Sequence, residues 1–178
     1  MPRAHLVKPV LFVLLGFNAV VYAVAGRGTE MLDALAWFAL LLLFELEARC
    51  PRWTRVARNA IALDLLRLIA AGAVVWAAVA FVREDEWLDA ANAWLWIGVV
   101  AVLELEVRAP AWVARYRRSA IAVSVALFGA LALVAAAWFT QGEWFDGYDA
   151  VLWIAAFALL ELDLLRRHSG TPSPSPGR

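Results

Sequence analysis

DALAWFALLLLFELEAR (residues 33–49), NAWLWIGVVAVLELEVR (92–108) and DAVLWIAAFALLELDLL (149–165) are three copies of one segment. Each starts on a polar residue (Asp33, Asn92, Asp149). Each carries a tryptophan four positions later (Trp37, Trp96, Trp153) and ends its apolar run in an acid-Leu-acid tripeptide. The tripeptides are Glu45-Leu46-Glu47, Glu104-Leu105-Glu106 and Glu161-Leu162-Asp163, spaced 59 and 57 residues apart without gaps between their flanks. A gap-free repeat of this length makes the chain three copies of one supersecondary unit.

The rest of the chain says what that unit is. Of 178 residues, 64% are hydrophobic and 18% charged, with a mean hydropathy of +0.71. Soluble domains are nearer half apolar and a quarter charged, so the class is a polytopic membrane protein. A hydrocarbon core of ~30 Å needs about 20 apolar residues per helix. Six segments meet that demand: Leu6–Ala25, Met31–Ala48, Arg58–Val82, Trp87–Val107, Arg117–Thr140 and Tyr148–Leu165. The expected fold is all-α, with six transmembrane helices in one domain over residues 1–168. They pair as three helical hairpins near 6–49, 58–108 and 117–167. A Ser/Pro-alternating tail, 169–178, is expected to be disordered. An alternative at the start is that Arg3, Lys8 and the apolar run before Gly26 form a cleaved signal peptide. Cleavage would orphan the first return helix.

The formal net charge is zero, but the charges are segregated. Thirteen basic residues fall at the termini and in the loops 49–57 and 108–116 or at their edges. Only Arg27 and Arg83 fall on the opposite side, with Arg67 between. The positive-inside rule then puts both termini in the cytoplasm. Fifteen of the sixteen basic residues are Arg, which points to a GC-rich bacterial gene and so to the inner membrane. The opposite loops are acidic or nearly neutral. Glu86-Trp87-Leu88-Asp89 and Glu143-Trp144-Phe145-Asp146 match each other, and Glu30-Met31-Leu32-Asp33 in a shorter first loop matches both. The hairpins all point one way, so they are parallel repeats about an axis along the membrane normal, and the acid pairs share one depth.

Those acid pairs are the first candidate site. Residues two apart on a helix diverge by about 200°, so the acids of one pair have different partners. Glu45 precedes Arg49 by four residues and Glu104 precedes Arg108 likewise, the favourable order for a helical ion pair. In the third copy Leu165 replaces the arginine, and Asp163 is left to Arg166 or Arg167. Eleven residues, 34–44, span only about 16 Å of helix, so the helix continues through the acids, roughly one turn inside the cytoplasmic boundary. Three roles follow for them: bracing arginines between hairpins, converging as a ring that binds protons or cations, or binding a partner protein. Asp64 and Arg67 on the third helix break the repeat, since the fifth helix has Ser124 and Leu127 there. They are either a buried i,i+3 ion pair, with Glu47 or Glu106 as a third member, or a relay.

Asn18 and Asn92 are expected to be hydrogen-bonding glue between helices. The tryptophans, including Trp87, Trp94, Trp96, Trp138, Trp144 and Trp153 toward the outer side, read as an interfacial belt. Pro51–Arg58 and Pro110–Arg118 are expected to lie on anionic lipid headgroups. Cys50 is single and the two histidines, His5 and His168, lie at opposite ends, so neither a disulfide nor a Cys/His metal cluster is expected. No phosphate-cradling loop, nucleophile elbow or cofactor fingerprint occurs, and the sequence argues against an enzyme and against nucleic-acid binding. The favoured expectation is an architectural, stress-type or accessory membrane protein, whose partners are lipid, a second copy or another membrane protein. The alternative is a small channel or a proton- or cation-coupled carrier built on Glu47, Glu106 and Glu161 or Asp163, with Asp64 and Arg67 as relay or gate.

Overall fold

A computed structural model describes residues 4–50 and 56–169. Seven helices account for the regular structure of the described residues: α1 (Ala4–Ala25), α2 (Gly28–Arg49), α3 (Ala57–Arg83), α4 (Trp87–Arg108), α5 (Pro110–Arg115), α6 (Arg117–Gln141) and α7 (Trp144–Ser169). All but the short α5 have at least 22 residues, about 33 Å at 1.5 Å per residue. Three stretches, Arg58–Arg83, Trp87–Glu106 and Arg117–Gln141, are long and apolar enough to cross a membrane. The apolar part of α1, Pro9–Ala25, is shorter. Helix α2 carries Glu30, Asp33, Glu45, Glu47 and Arg49, so its length suffices while its charge counts against it.

Local chemistry sets the helix ends. Glu30 lies in the first turn of α2 and its carboxylate accepts a hydrogen bond from the Arg27 amide at 3.0 Å, the return half of a capping box. Asp89 and Asp146 occupy the first turns of α4 and α7, where the helix dipole favours an anion. Pro110 opens α5, where a missing amide hydrogen costs nothing. Gly142 ends α6 at φ +89°, a left-handed cap suited to glycine.

The helices close on themselves. Each long helix packs on two neighbours, in the cyclic order α1, α2, α3, α4, α6, α7 and back to α1. The seam between α1 and α7 has the least extensive contact. Small residues let α3 and α4 approach, with Ala77, Ala78, Ala90 and Ala93 buried beside Phe81. At the centre lie Trp96, Val99 and Leu131, flanked by Trp37, Trp153, Phe128 and Phe157. The outside is apolar: Val13, Phe17, Val20 and Val24 on α1, and Leu65, Leu68, Ile69 and Trp76 on α3, are all more than half exposed. A surface so continuously oily suits lipid, not water.

The tail after Ser169 and most of the segment Pro51–Arg58 lie outside the described residues, as do the side chains of Glu161, Asp163, Arg166 and Arg167. The tryptophan belt needs correction. Trp87, Trp94 and Trp144 are exposed as a belt requires, but Trp96 and Trp138 are buried and Trp37, Trp96 and Trp153 meet at the centre.

Candidate functional site

Counting back fifteen, twelve and eight residues from the first acid of each tripeptide gives three matched sets: Glu30/Asp89/Asp146, Asp33/Asn92/Asp149 and Trp37/Trp96/Trp153. Positions i, i+3 and i+7 share one helix face. On α2, α4 and α7 that face points inward, and all nine side chains line one cavity. The cavity lies at the end of the bundle that carries the 26–27, 84–86 and 142–143 turns and is open at its mouth. Among the described residues, five carboxyl groups and no basic side chain line it. Its walls also include Tyr22, Phe81 and Trp138.

The floor is aromatic. The Trp37, Trp96 and Trp153 ring centroids are 6.4 to 6.5 Å apart pairwise, with interplanar angles of 60° to 61°. These are contact distances for tilted aromatic pairs, so the three indoles fill the axis. Phe157, at 4.9 Å, and Phe128, edge-on at 6.3 Å, back Trp96 from the far side.

Helix α1 supplies the polar contacts at the seam. Asn18, only 1% exposed, donates from Nδ2 to Asp149 Oδ1 at 2.6 Å. One turn higher, the Tyr22 hydroxyl donates to Asp146 Oδ1 at 2.7 Å. The expectation that Asn18 ties helices together describes this bond. Asn92 differs: its Oδ1 is buried and has no partner, and the same holds for Asp33 Oδ1 and Asn18 Oδ1. Native structures seldom leave buried acceptors without a donor.

The rim is cross-linked. Arg27 pairs with Glu30 at 2.7 Å and with Glu86 of the next hairpin. Thr29 Oγ1 donates to Glu84 at 2.6 Å. The Glu86 hydrogen bond raises the Arg27 guanidinium further above its ordinary value, with Glu30 adding to it. The same bond holds the Glu86 carboxyl below the usual carboxylate range.

At the opposite end the structure places the acid pairs as follows. Glu45 binds Arg49, and Glu104 binds Arg108 at 2.5 Å, each within its own helix. Glu47 of α2 reaches Arg67 of α3, whose other contact is Asp64 at 3.5 Å. Arg67 is therefore shared by two carboxylates, the three-membered arrangement considered for Glu47. Glu106 is exposed, as are Glu47 and Asp64. Carboxyls gather on the axis at the far end, around Asp33, Asp89 and Asp149, which sequence reasoning had not singled out as a site.

The signal for that gathering was present. Matching the loops by their Glu-x-x-Asp pattern sets Asp33 against Asp89 and Asp146, three residues out of the gap-free register. In the gap-free register Glu30 stands with Asp89 and Asp146 and the inward stripe is visible. Among the described residues, no three His, Cys, Asp or Glu side chains converge closely enough to hold a metal ion. No protein-family model, no curated protein and no solved structure matches the chain.

Proposed function

We propose that this is a six-span membrane protein, with both termini cytoplasmic, that captures cations from the outer face in an acidic vestibule. The observation that carries the reading is the lining: five carboxyl groups, no basic group and a sealed aromatic base in one cavity. Low-dielectric walls focus the field of like charges and raise the local concentration of counter-ions. Six spans are supported by the length of α1, α2 and α7, which each exceed the hydrocarbon thickness. The acids of α2 and α7 stand near the helix ends or face the cavity, where charge in a membrane protein is tolerated. The thirteen-to-two arginine and lysine asymmetry supports the orientation. Three repeats related by an axis through the tryptophan triangle account for the matched tiers.

The indole floor makes this a binding or carrier protein in the observed state, not an open pore. The cytoplasmic acids keep an architectural role: Glu47, Arg67 and Asp64 join α2 to α3, and Glu45 and Glu104 hold arginines on their own helices. The test is a tryptophan-fluorescence titration of the full chain in lipid nanodiscs with sodium, potassium, calcium and alkylammonium chlorides at constant ionic strength. The reading expects a saturable response to at least one cation, lost when Asp33 and Asp89 are both changed to Asn. A flat response to all four in the wild type would end it.

A further inference from the structure

We infer that the cation this vestibule takes is a small primary alkylammonium, with its N–H donors on Asp33 and Asn92 and its carbon chain on the indole floor. The inference rests on the cation-binding reading above and names its ligand. Four of the five carboxyls already receive protein donors: Asp149 from Asn18, Asp146 from Tyr22, Glu30 from Arg27, and Asp33 from the Trp37 indole. The buried Oδ1 atoms of Asp33 and Asn92 receive none. Buried acceptors are seldom left without a donor, and two of them line the same cavity. A ligand that donates hydrogen bonds, preferably a cation, fits these two acceptors.

Each alternative class fails on one property. A quaternary ammonium carries charge but no N–H, so it leaves both acceptors as they are. A hard divalent ion wants six to eight oxygen ligands at about 2.0–2.6 Å, whereas the carboxyls do not converge and much of the wall is aromatic. A bare alkali ion shares the attraction to ring faces but has no N–H to donate and no apolar chain to cover Trp37, Trp96, Trp138 or Trp153. A primary alkylammonium brings three donors on one end and an apolar chain for the aromatic wall on the other. It also carries the single positive charge that attracts it to indole faces.

The experiment compares n-butylammonium, tetramethylammonium, potassium and calcium chlorides by calorimetry and tryptophan fluorescence on the full chain in nanodiscs. The expected result is that n-butylammonium binds at least tenfold more tightly than the other three. Asp33→Asn, which keeps the shape, should weaken it at least tenfold. Asn92→Ala should weaken it several-fold. Ala34→Leu, which fills the cavity beside Asp33, carries the same expectation if Asp33→Asn does not fold. Tetramethylammonium, potassium or calcium binding as tightly overturns the inference while the cation reading stands. Undiminished n-butylammonium binding in folded Asp33→Asn and Ala34→Leu also overturns it. No response to any of the four salts overturns both.

Discussion

Replacing Trp96 with Ala tests the floor of the vestibule. Trp96 is 4% exposed and touches four aromatic rings: Trp37, Trp153, Phe128 and Phe157. In a water-soluble core such a truncation costs about 3–5 kcal/mol. Part of that is transfer out of water, which drops out here because separated transmembrane helices remain in lipid. The aromatic contacts remain, at about 0.5–1.5 kcal/mol each before overlap. Allowing for overlap among four pairs, the expected loss is about 2–3 kcal/mol, or roughly 30- to 150-fold in the unfolding equilibrium. The assay is SDS-driven unfolding in mixed micelles. Trp96→Phe is the control, which keeps a ring and should lose about 1 kcal/mol or less. The same Ala variant should let a water-soluble quencher confined to the side opposite the vestibule reach Trp37 and Trp153, which line the vestibule floor. A cost within about 0.5 kcal/mol of zero, with quenching unchanged, would refute the claim that these indoles seal the axis.

Other consequences are narrower. Asn18→Leu should destabilise the α1–α7 seam by about 0.6 kcal/mol and by no more than about 1.7, the average and the maximum for membrane hydrogen bonds, read by the same unfolding assay; no change would mean the bond to Asp149 contributes nothing. Gly147→Ala should cost about 1–3 kcal/mol, because a Cβ there meets the Phe139 ring at 2.9 Å. Phe139→Leu should recover part of that loss, and an equally unstable double variant would sink the steric account. The Arg27–Glu86 link at the rim should depend on pH. The Glu86 carboxyl is held below its ordinary value, so the link is at full strength above the usual Glu value of about 4.3 and weakens as pH falls through the lower folded one. Spin labels on residues 28 and 85 should separate in acid in the wild type and be insensitive to pH in Glu86→Gln; an acid-insensitive wild type contradicts this.

The all-helical architecture with helices long enough to span a membrane could be read from the chain because its signals are strong: apolar runs of helical length and short connections. Segment Trp87–Val107 and helix α4, Trp87–Arg108, agree within one residue. The facing of the helices was harder to read. Helices that are apolar nearly all round give almost no periodic contrast, so the inward face of α2 or α4 is marked only by its few polar and aromatic residues. Each of those residues also fits a separate local role, Trp96 and Trp153 in an interface belt and the outer acids in loops. Their i, i+3, i+7 spacing is what joins them into one stripe. The acid-Leu-acid tripeptides drew attention by their regularity. Helix-local pairs such as Glu45–Arg49 and Glu104–Arg108 explain much of that regularity without any ligand. Asp64 and Arg67 were legible as a pair because i,i+3 spacing is local. Their link to Glu47 depended on which helix lies beside α3.

The most direct test is the accessibility of Ala34, which lines the cavity between Asp33 and the indole floor. With Cys50 changed to Ser and Ala34 changed to Cys, intact cells are treated with membrane-impermeant thiol reagents of opposite charge. The account predicts labelling from outside, faster with a trimethylammonium reagent than with a sulfonate of similar size, because five carboxyls surround the target. Labelling only from the cytoplasmic side, or equal rates for the two reagents, would contradict an outward-facing acidic vestibule.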